Sequence, residues 1–268
     1  MNNAIQKIAS FILPEKVLTG IKKSYYPWRL RFCRAKEIDL EVIRTLIGHG
    51  DVVVDIGANI GGYTYHFSKL VGLQGRVFSI EPIPVTFEIL CSNVKKLGLN
   101  NVEVFNCAIS DDDDWLVMEI PKYESGLKNY YQAKIVDNET ANSLNRTKVN
   151  SKKLDSLLPY LANAISFIKC DIEGHELNCI RGAANIIRCS RPAWYIEISG
   201  NPDDANSPAF EAFCLLKKGG YEAYWFDGTY LKKRLAGDKS VNYFFLTERH
   251  IKALERKKSI EFVLDSSF

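Results

Sequence analysis

Short apolar runs and longer amphipathic runs alternate through the middle of the chain. Asp51-Val52-Val53-Val54-Asp55-Ile56 is a β-branched run that ends on glycines, which predicts a buried strand followed by a tight turn. A helix is expected over Tyr63 to Val71, a strand over Arg76 to Ile80, and a helix from Val85 to Leu97 closed by Gly98. Val102–Phe105 and Trp115–Ile120 read as further strands, the second ended by Pro121. Residues 121–146 are polar and irregular, with Lys122, Glu124, Gly126, Asn129, Asn138, Asn142 and Asn145, and read as a surface insertion. A strand resumes at Ile165–Ile168, then come a helix over Leu177–Ile187, a strand at Ala193–Ile196 and a helix over Phe210–Lys218 stopped by Gly219-Gly220. Strands near Tyr221–Phe226 and Asn242–Leu246 finish the series. This strand–helix rhythm predicts an α/β fold, a parallel doubly wound sheet with helices on both faces. The last two strands are too close together for a helical crossover, so an antiparallel pairing is expected at that edge.

Length and composition narrow the class further. The chain has 268 residues, 46% hydrophobic and 25% charged, so disorder, collagen-like repetition and coiled coil are excluded. No apolar run reaches the roughly 18 residues of a membrane-spanning helix. The first seven residues lack a basic start, and Gln6, Lys7 and Ser10 interrupt the apolar stretch, a poor match to a signal peptide. The seven cysteines include no CxxC pair and no nearby histidine cluster, so no zinc site or disulfide framework is expected, and a cytoplasmic location fits. Net charge is only +3, too little to argue for nucleic acid, yet residues 1–40 alone carry eight basic and three acidic side chains.

The first glycine-rich turn, Asp55-Ile56-Gly57-Ala58-Asn59-Ile60-Gly61-Gly62, falls where a doubly wound sheet binds its ligand. Glycine is expected there because a side chain would collide with a cofactor lying over the turn. Asn59 stands where a dinucleotide fingerprint needs its middle glycine, and Asp55 would face a pyrophosphate unfavourably. Both residues suit S-adenosylmethionine, which carries an amino group and a positive sulfonium instead of phosphate. Glu81 closes the second strand, where an acid can accept both hydroxyls of a ribose.

Four segments resemble the FkbM family of S-adenosylmethionine-dependent methyltransferases. They are Gly50 to Gly61, Phe78-Ser79-Ile80-Glu81-Pro82, Asn106 to Asp111, and Ile168-Lys169-Cys170-Asp171-Ile172-Glu173-Gly174-His175-Glu176, with Leu154-Asp155-Ser156-Leu157 ahead of the last. The resemblance spans roughly residues 37–247. It implies a class I, Rossmann-like methyltransferase domain over residues 37–250, with a mainly parallel seven-stranded sheet. Residues 1–36 would form a basic and aromatic N-terminal segment and residues 251–268 a tail. It also implies O-methylation of hydroxyls on sugars or polyketide-like compounds. Carried over by position, Asp55, Gly57, Ala58, Asn59 and Gly61 would line the methionine and ribose part of the cofactor. Glu81 would hold the ribose, and the Cys107–Ala108 backbone would meet the adenine.

Methyl transfer to oxygen needs an in-line acceptor and a base for its proton. Asp171 ends the fourth core strand, and Glu173 points to the same side if the chain stays extended; Asp171 also counts as a cofactor-binding candidate. Gly174 then permits a turn that presents His175, the expected general base because its pKa suits neutral operation. Asp171 and Glu173 would orient the acceptor or offset the sulfonium, with Glu197 a reserve base. The alternative for these residues is plain: Glu173 or Glu176 as a favourable acid opening the next helix, and His175 as a surface residue. The Asp111–Asp114 run reads as a solvated loop, with no metal expected. Lys22 to Phe32 interleaves basic and aromatic side chains and could meet an anionic glycan, a phosphate-bearing carrier or a membrane surface, or could simply pack on the domain. The expected partner is a hydroxylated small molecule or glycan. Two other readings stay open: a non-catalytic scaffold that binds S-adenosylmethionine, and a nicotinamide-dependent oxidoreductase.

Overall fold

The β-branched run at Val52 sits inside a sheet, third strand from one edge, in a computed structural model that describes residues 15–32, 38–121, 129–136, 145–257 and 261–263. Cys33, Lys122, Tyr123, Glu124, Gly126, Asn138, Asn142 and the start of the chain lie outside the described residues. Helices α1 (Glu15–Phe32) and α2 (Leu40–Leu46) come first, followed by β1 (Val52–Ile56), α3 (Gly62–Val71), β2 (Arg76–Ile80), α4 (Pro84–Leu97) and β3 (Val102–Phe105). Then come β4 (Ala108–Ile109), β5 (Trp115–Glu119), β6 (Lys134–Val136), β7 (Arg146–Lys152) and the short α5 (Leu154–Leu157). The rest is β8 (Ile165–Cys170), α6 (Glu176–Arg181), α7 (Ala184–Cys189), β9 (Ala193–Glu197), α8 (Pro208–Lys218), β10 (Glu222–Phe226), β11 (Tyr230–Lys233), β12 (Asn242–Leu246), α9 (Glu248–Lys257) and β13 (Glu261–Val263).

The large sheet runs β13-β11-β10-β12-β9-β8-β1-β2-β3. Its seven strands from β10 to β3 are the expected doubly wound sheet, parallel from β9 through β8 and β1 to β3. The antiparallel strand β12 lies between β9 and β10, so it is inside the sheet and not at its edge. The edge is extended by β11, antiparallel to β10, and by β13. A hairpin built on Asp227-Gly228 makes β11 possible, since the Asp227 carboxylate accepts the N–H groups of Thr229 and Tyr230 at 2.8 Å.

Strand alternation divides the core between the two faces of this sheet. Val54, Ile56, Ile168, Trp194 and Phe245 face one cluster, covered by α6, α7 and α8. Val53, Phe167, Tyr195 and Phe244 face the other, covered by α2, α3 and α9. The stretch read as a tail thus begins inside α9, whose Leu254 is buried against this second face. A third, separate apolar cluster (Ile83, Ala108, Met118, Ile120, Ala133 and Val149) belongs to a small sheet ordered β4-β7-β5-β6. The single helix expected over Leu177–Ile187 is two, α6 and α7. Gly182 breaks it, because a Cβ there would stand 2.0 Å from the Ser110 carbonyl oxygen. Asp155 restarts the helix by accepting the N–H groups of Asn185 (2.8 Å) and Ile186 (3.0 Å).

Candidate active site

The glycine turn leaves β1 and is pinned from beside it. The N–H groups of Gly57 and Ala58 both donate to the Ile80 carbonyl at 3.0 Å. Asn59 takes the left-handed conformation at φ 51°, its N–H donating to Glu81 Oε2 at 2.9 Å and its side-chain oxygen accepting the Ile60 N–H at 2.8 Å. The reason for glycine here is internal to the chain. At Gly57, φ +71°, a Cβ would lie 1.9 Å from the Asp171 carbonyl oxygen; at Gly61, φ +92°, it would meet Leu90 at 2.8 Å. The turn is therefore tight because β8 and α4 press on it, before any ligand is considered.

Two buried carboxylates face this turn. Glu81 is 5% exposed, and its Oε1 accepts the Ile83 N–H at 2.9 Å as its Oε2 accepts that of Asn59. Burial pushes its carboxyl up to about 7, against the pull of those two N–H donors. Asp55 accepts Thr64 Oγ1 on Oδ2 at 2.6 Å, and Thr64 in turn meets Ser79 Oγ at 2.9 Å. Asp55 Oδ1 is buried and takes part in no hydrogen bond among the described residues.

At the end of β8, Lys169 is 3% exposed. Its Nζ donates to the Gly57 carbonyl at 3.0 Å and lies 3.3 Å from Asp171 Oδ2 and 3.8 Å from Asp55 Oδ1. Burial alone would push the ammonium down, but Asp171 and Asp55 together hold it above the usual lysine value. The Tyr63 ring sits beneath it, 5.3 Å from Nζ. Sequence reasoning quoted Lys169 within its motif and gave it no role. The available signal was a lone lysine between Ile168 and Cys170 in an otherwise apolar strand.

The chain beyond β8 does not stay extended. Glu173 itself is left-handed at φ 54°, and Gly174 follows at φ 97°, so the turn starts one residue earlier than the sequence suggests. Glu173 stands at the open side of the site; partial burial, then Asp171 and Glu176, push its carboxyl above the ordinary value. Burial, then Asp171 and Glu173, do the same to Glu197, which places all three carboxylates in one electrostatic group. Glu176 opens α6 and accepts the Gly174 N–H at 2.9 Å. His175 is not brought into this group. Its Nε2 meets Ser110 Oγ at 2.8 Å, and burial lowers its pKa against the pull of Asp111. The Asp111–Asp114 loop is tied to protein partners, Asp111 accepting from Asn178 at 2.9 Å and Asp113 accepting the Lys153 N–H at 2.7 Å.

A cavity of about 600 Å³ joins these features. Gly57, Ala58, Asn59, Glu81, Cys107 and Ala108 line one side; Lys169, Asp171 and Glu173 line its end. Gly61, Asp55 and His175 are not on its wall, the first two lying directly behind it. The remaining wall comes from outside the main sheet: Arg29 and Leu30 of α1, and Met118, Tyr130, Ala133 and Ile135 of the small sheet and its connection. Pattern reading had no motif for that wall.

The Methyltransferase FkbM domain matches residues 55–223. A protein-L-isoaspartate O-methyltransferase of Methanococcus maripaludis is 38% identical over 69 residues, which cover 26% of this chain and 29% of that protein. The chain thus spans less than a third of that curated relative. Among solved structures, a methyltransferase FkbM from Methylobacillus flagellatus KT is 16% identical, with TM-score 0.47, covering 78% of this chain and 50% of that one. A SAM dependent methyltransferase from Aquifex aeolicus is 15% identical, with TM-score 0.41, covering 82% and 96%. With the domain match extending over most of the chain and across both the glycine turn and the Asp171–Glu176 segment, this protein belongs to the FkbM methyltransferase family, whose methyl donor is S-adenosylmethionine.

Proposed function

We propose that the protein methylates a hydroxyl group on a sugar, glycan or polyketide-like small molecule, with residues 37–250 as the methyltransferase unit. The observation that carries this reading is the placement of Asp171 and Glu173 on the cavity wall, next to the glycine turn and open to the wall formed by α1 and the small sheet. The residues fit the donor. Glu81 lines the cavity and has lone pairs left on both oxygens for ribose hydroxyls, while Asp55 stands behind the turn, facing Lys169. Among the described residues Asp55, Asp171, Glu173 and Glu197 outnumber Lys169 and Arg29, so the local field favours a cation. When bound, S-adenosylmethionine supplies an electrophilic methyl group on a positively charged sulfur. Glu173 takes the acceptor's proton on a carboxylate oxygen, and Asp171, fixed by Lys169, orients the hydroxyl. The base role expected for His175 passes to Glu173 in this reading, because His175 is engaged with Ser110 off the cavity wall.

The experiment is a labelled-methyl screen against fractionated cell extract. Label in a small-molecule or glycan fraction, stable to mild alkali as an ether must be, supports the reading. Label appearing only as an alkali-labile ester on protein, or no transfer at all, overturns it.

Glu81 gives a separate expectation. Glu81→Ala should weaken S-adenosylhomocysteine binding by about 1–3 kcal/mol, the cost of leaving polar hydroxyls without a charged partner. Hydroxyl donors favour the ionised carboxylate, so binding releases a proton wherever free Glu81 is protonated. Affinity should therefore rise with pH up to about 7 and level off above it. Titration calorimetry across that range checks both points; a flat profile would remove the protonation claim, and Glu81→Gln should abolish the dependence.

A further inference from the structure

Helix α1 has a docked face and an exposed face, and the two are differently built. Thr19 and Tyr26 are buried, Lys23 pairs with Glu88 of α4, and Lys96 of α4 donates to the Lys23 carbonyl at 2.7 Å. On the other side Val17, Ile21, Trp28 and Phe32 are 40% to 65% exposed. At about 3.6 residues per turn these four side chains fall within an arc of roughly 60°. Trp28 packs on Phe32 at 6.0 Å between ring centroids, so the stripe is continuous at that end. Lys22 and Arg29 follow on one side of the arc, and Arg31 lies on the other.

We propose that α1 docks on an anionic lipid surface, its apolar stripe entering the headgroup boundary and Arg29 and Arg31 meeting lipid phosphates. An aromatic stripe bordered by cations on both sides is what such a surface selects. The same borders oppose a second copy, since a symmetric pairing of two stripes would bring their cations together. Lys22, Lys23, Arg29 and Arg31 give the described helix a positive charge of the same sense. Arg29, on the flank of the stripe, also lines the cavity, whereas Leu30 reaches it from the opposite face of the helix, so docking places the membrane beside the cavity's α1 wall. No described helix is long and apolar enough to cross a bilayer, and the contact proposed is peripheral.

The test uses the full chain without donor or acceptor, so it is independent of the proposed reaction. Co-sedimentation is measured with vesicles of phosphatidylglycerol mixed with phosphatidylcholine, and with phosphatidylcholine alone. Binding is expected to the anionic vesicles only and to fall steeply with salt. The Trp28→Ser, Phe32→Ser double variant and, separately, Arg31→Glu should each lose about tenfold or more, with unchanged thermal unfolding. Equal binding to both vesicle types, no binding at low salt, or wild-type binding by the double variant overturns the proposal. So does a dimer in solution that the double variant converts to monomer, which would assign the stripe to a second copy.

Discussion

Glu173→Gln is expected to lower turnover by about 10²–10⁴, with S-adenosylhomocysteine affinity changed less than about threefold. The substitution keeps shape and removes only the ability to accept a proton, so its effect separates base chemistry from positioning. The side chain lines the cavity but makes no contact with Glu81, the group expected to hold the ribose, which is why donor affinity should survive. The wild-type pH profile should carry the same mark. A base must be deprotonated to work, and Glu173 titrates above an ordinary glutamate because of partial burial and the charges of Asp171 and Glu176. Activity should thus fall on the acid side, starting above the usual carboxylate range. His175→Ala, by contrast, should stay within about fivefold of wild type, as only the Ser110 hydrogen bond is lost. A mild Glu173→Gln together with a hundredfold loss in His175→Ala would return the base role to the histidine.

Lys169→Met should destabilise the fold by about 3–5 kcal/mol, the cost of leaving a buried charge without its partner. The lysine's hydrogens are spent on the Gly57 carbonyl and on Asp171, and its charge also faces Asp55. Without it Asp55, fully buried in β1, keeps one hydroxyl donor, Thr64. Methionine fills most of the space, so the loss is electrostatic and not a cavity. Adding Asp55→Asn should therefore restore more than half of the lost stability, where two independent defects would instead add. Denaturant unfolding of the four proteins in the cycle decides it; a single variant within about 1 kcal/mol of wild type would show the pair to be dispensable.

Much of the main sheet was legible because its strands are stabilised by what they carry. Val52–Ile56 and Arg76–Ile80 are apolar runs of the right length, and glycines mark their ends. Where stability comes from a neighbour, the local signal fails. Strand β7 is Arg-Thr-Lys-Val-Asn-Ser-Lys, with only Val149 and Ser151 buried, and it is held by pairing to β4 and β5. The split between α6 and α7 depends on the Ser110 carbonyl, some seventy positions earlier, which no window over Leu177–Ile187 contains. The tight turn carrying Asn59 and the acid Glu81 beside it follow from the strand ends at Ile56 and Ile80, which the sequence marks. The path of the Asp171–Glu176 segment does not, since its turn begins at a left-handed Glu173, a conformation sequence leaves open for a glutamate.

The small sheet has its own apolar cluster, touching the main domain through Ile83 and Ala108. Its members Met118 and Ala133 also line the cavity, with Ile135 packed against them. A change at those side chains acts on the small cluster and leaves the packing of the two main-sheet clusters in place. For an engineer this makes Met118, Ala133 and Ile135 the positions to vary first: the same volume changes made in the main sheet would fall on the clusters that hold the whole fold together.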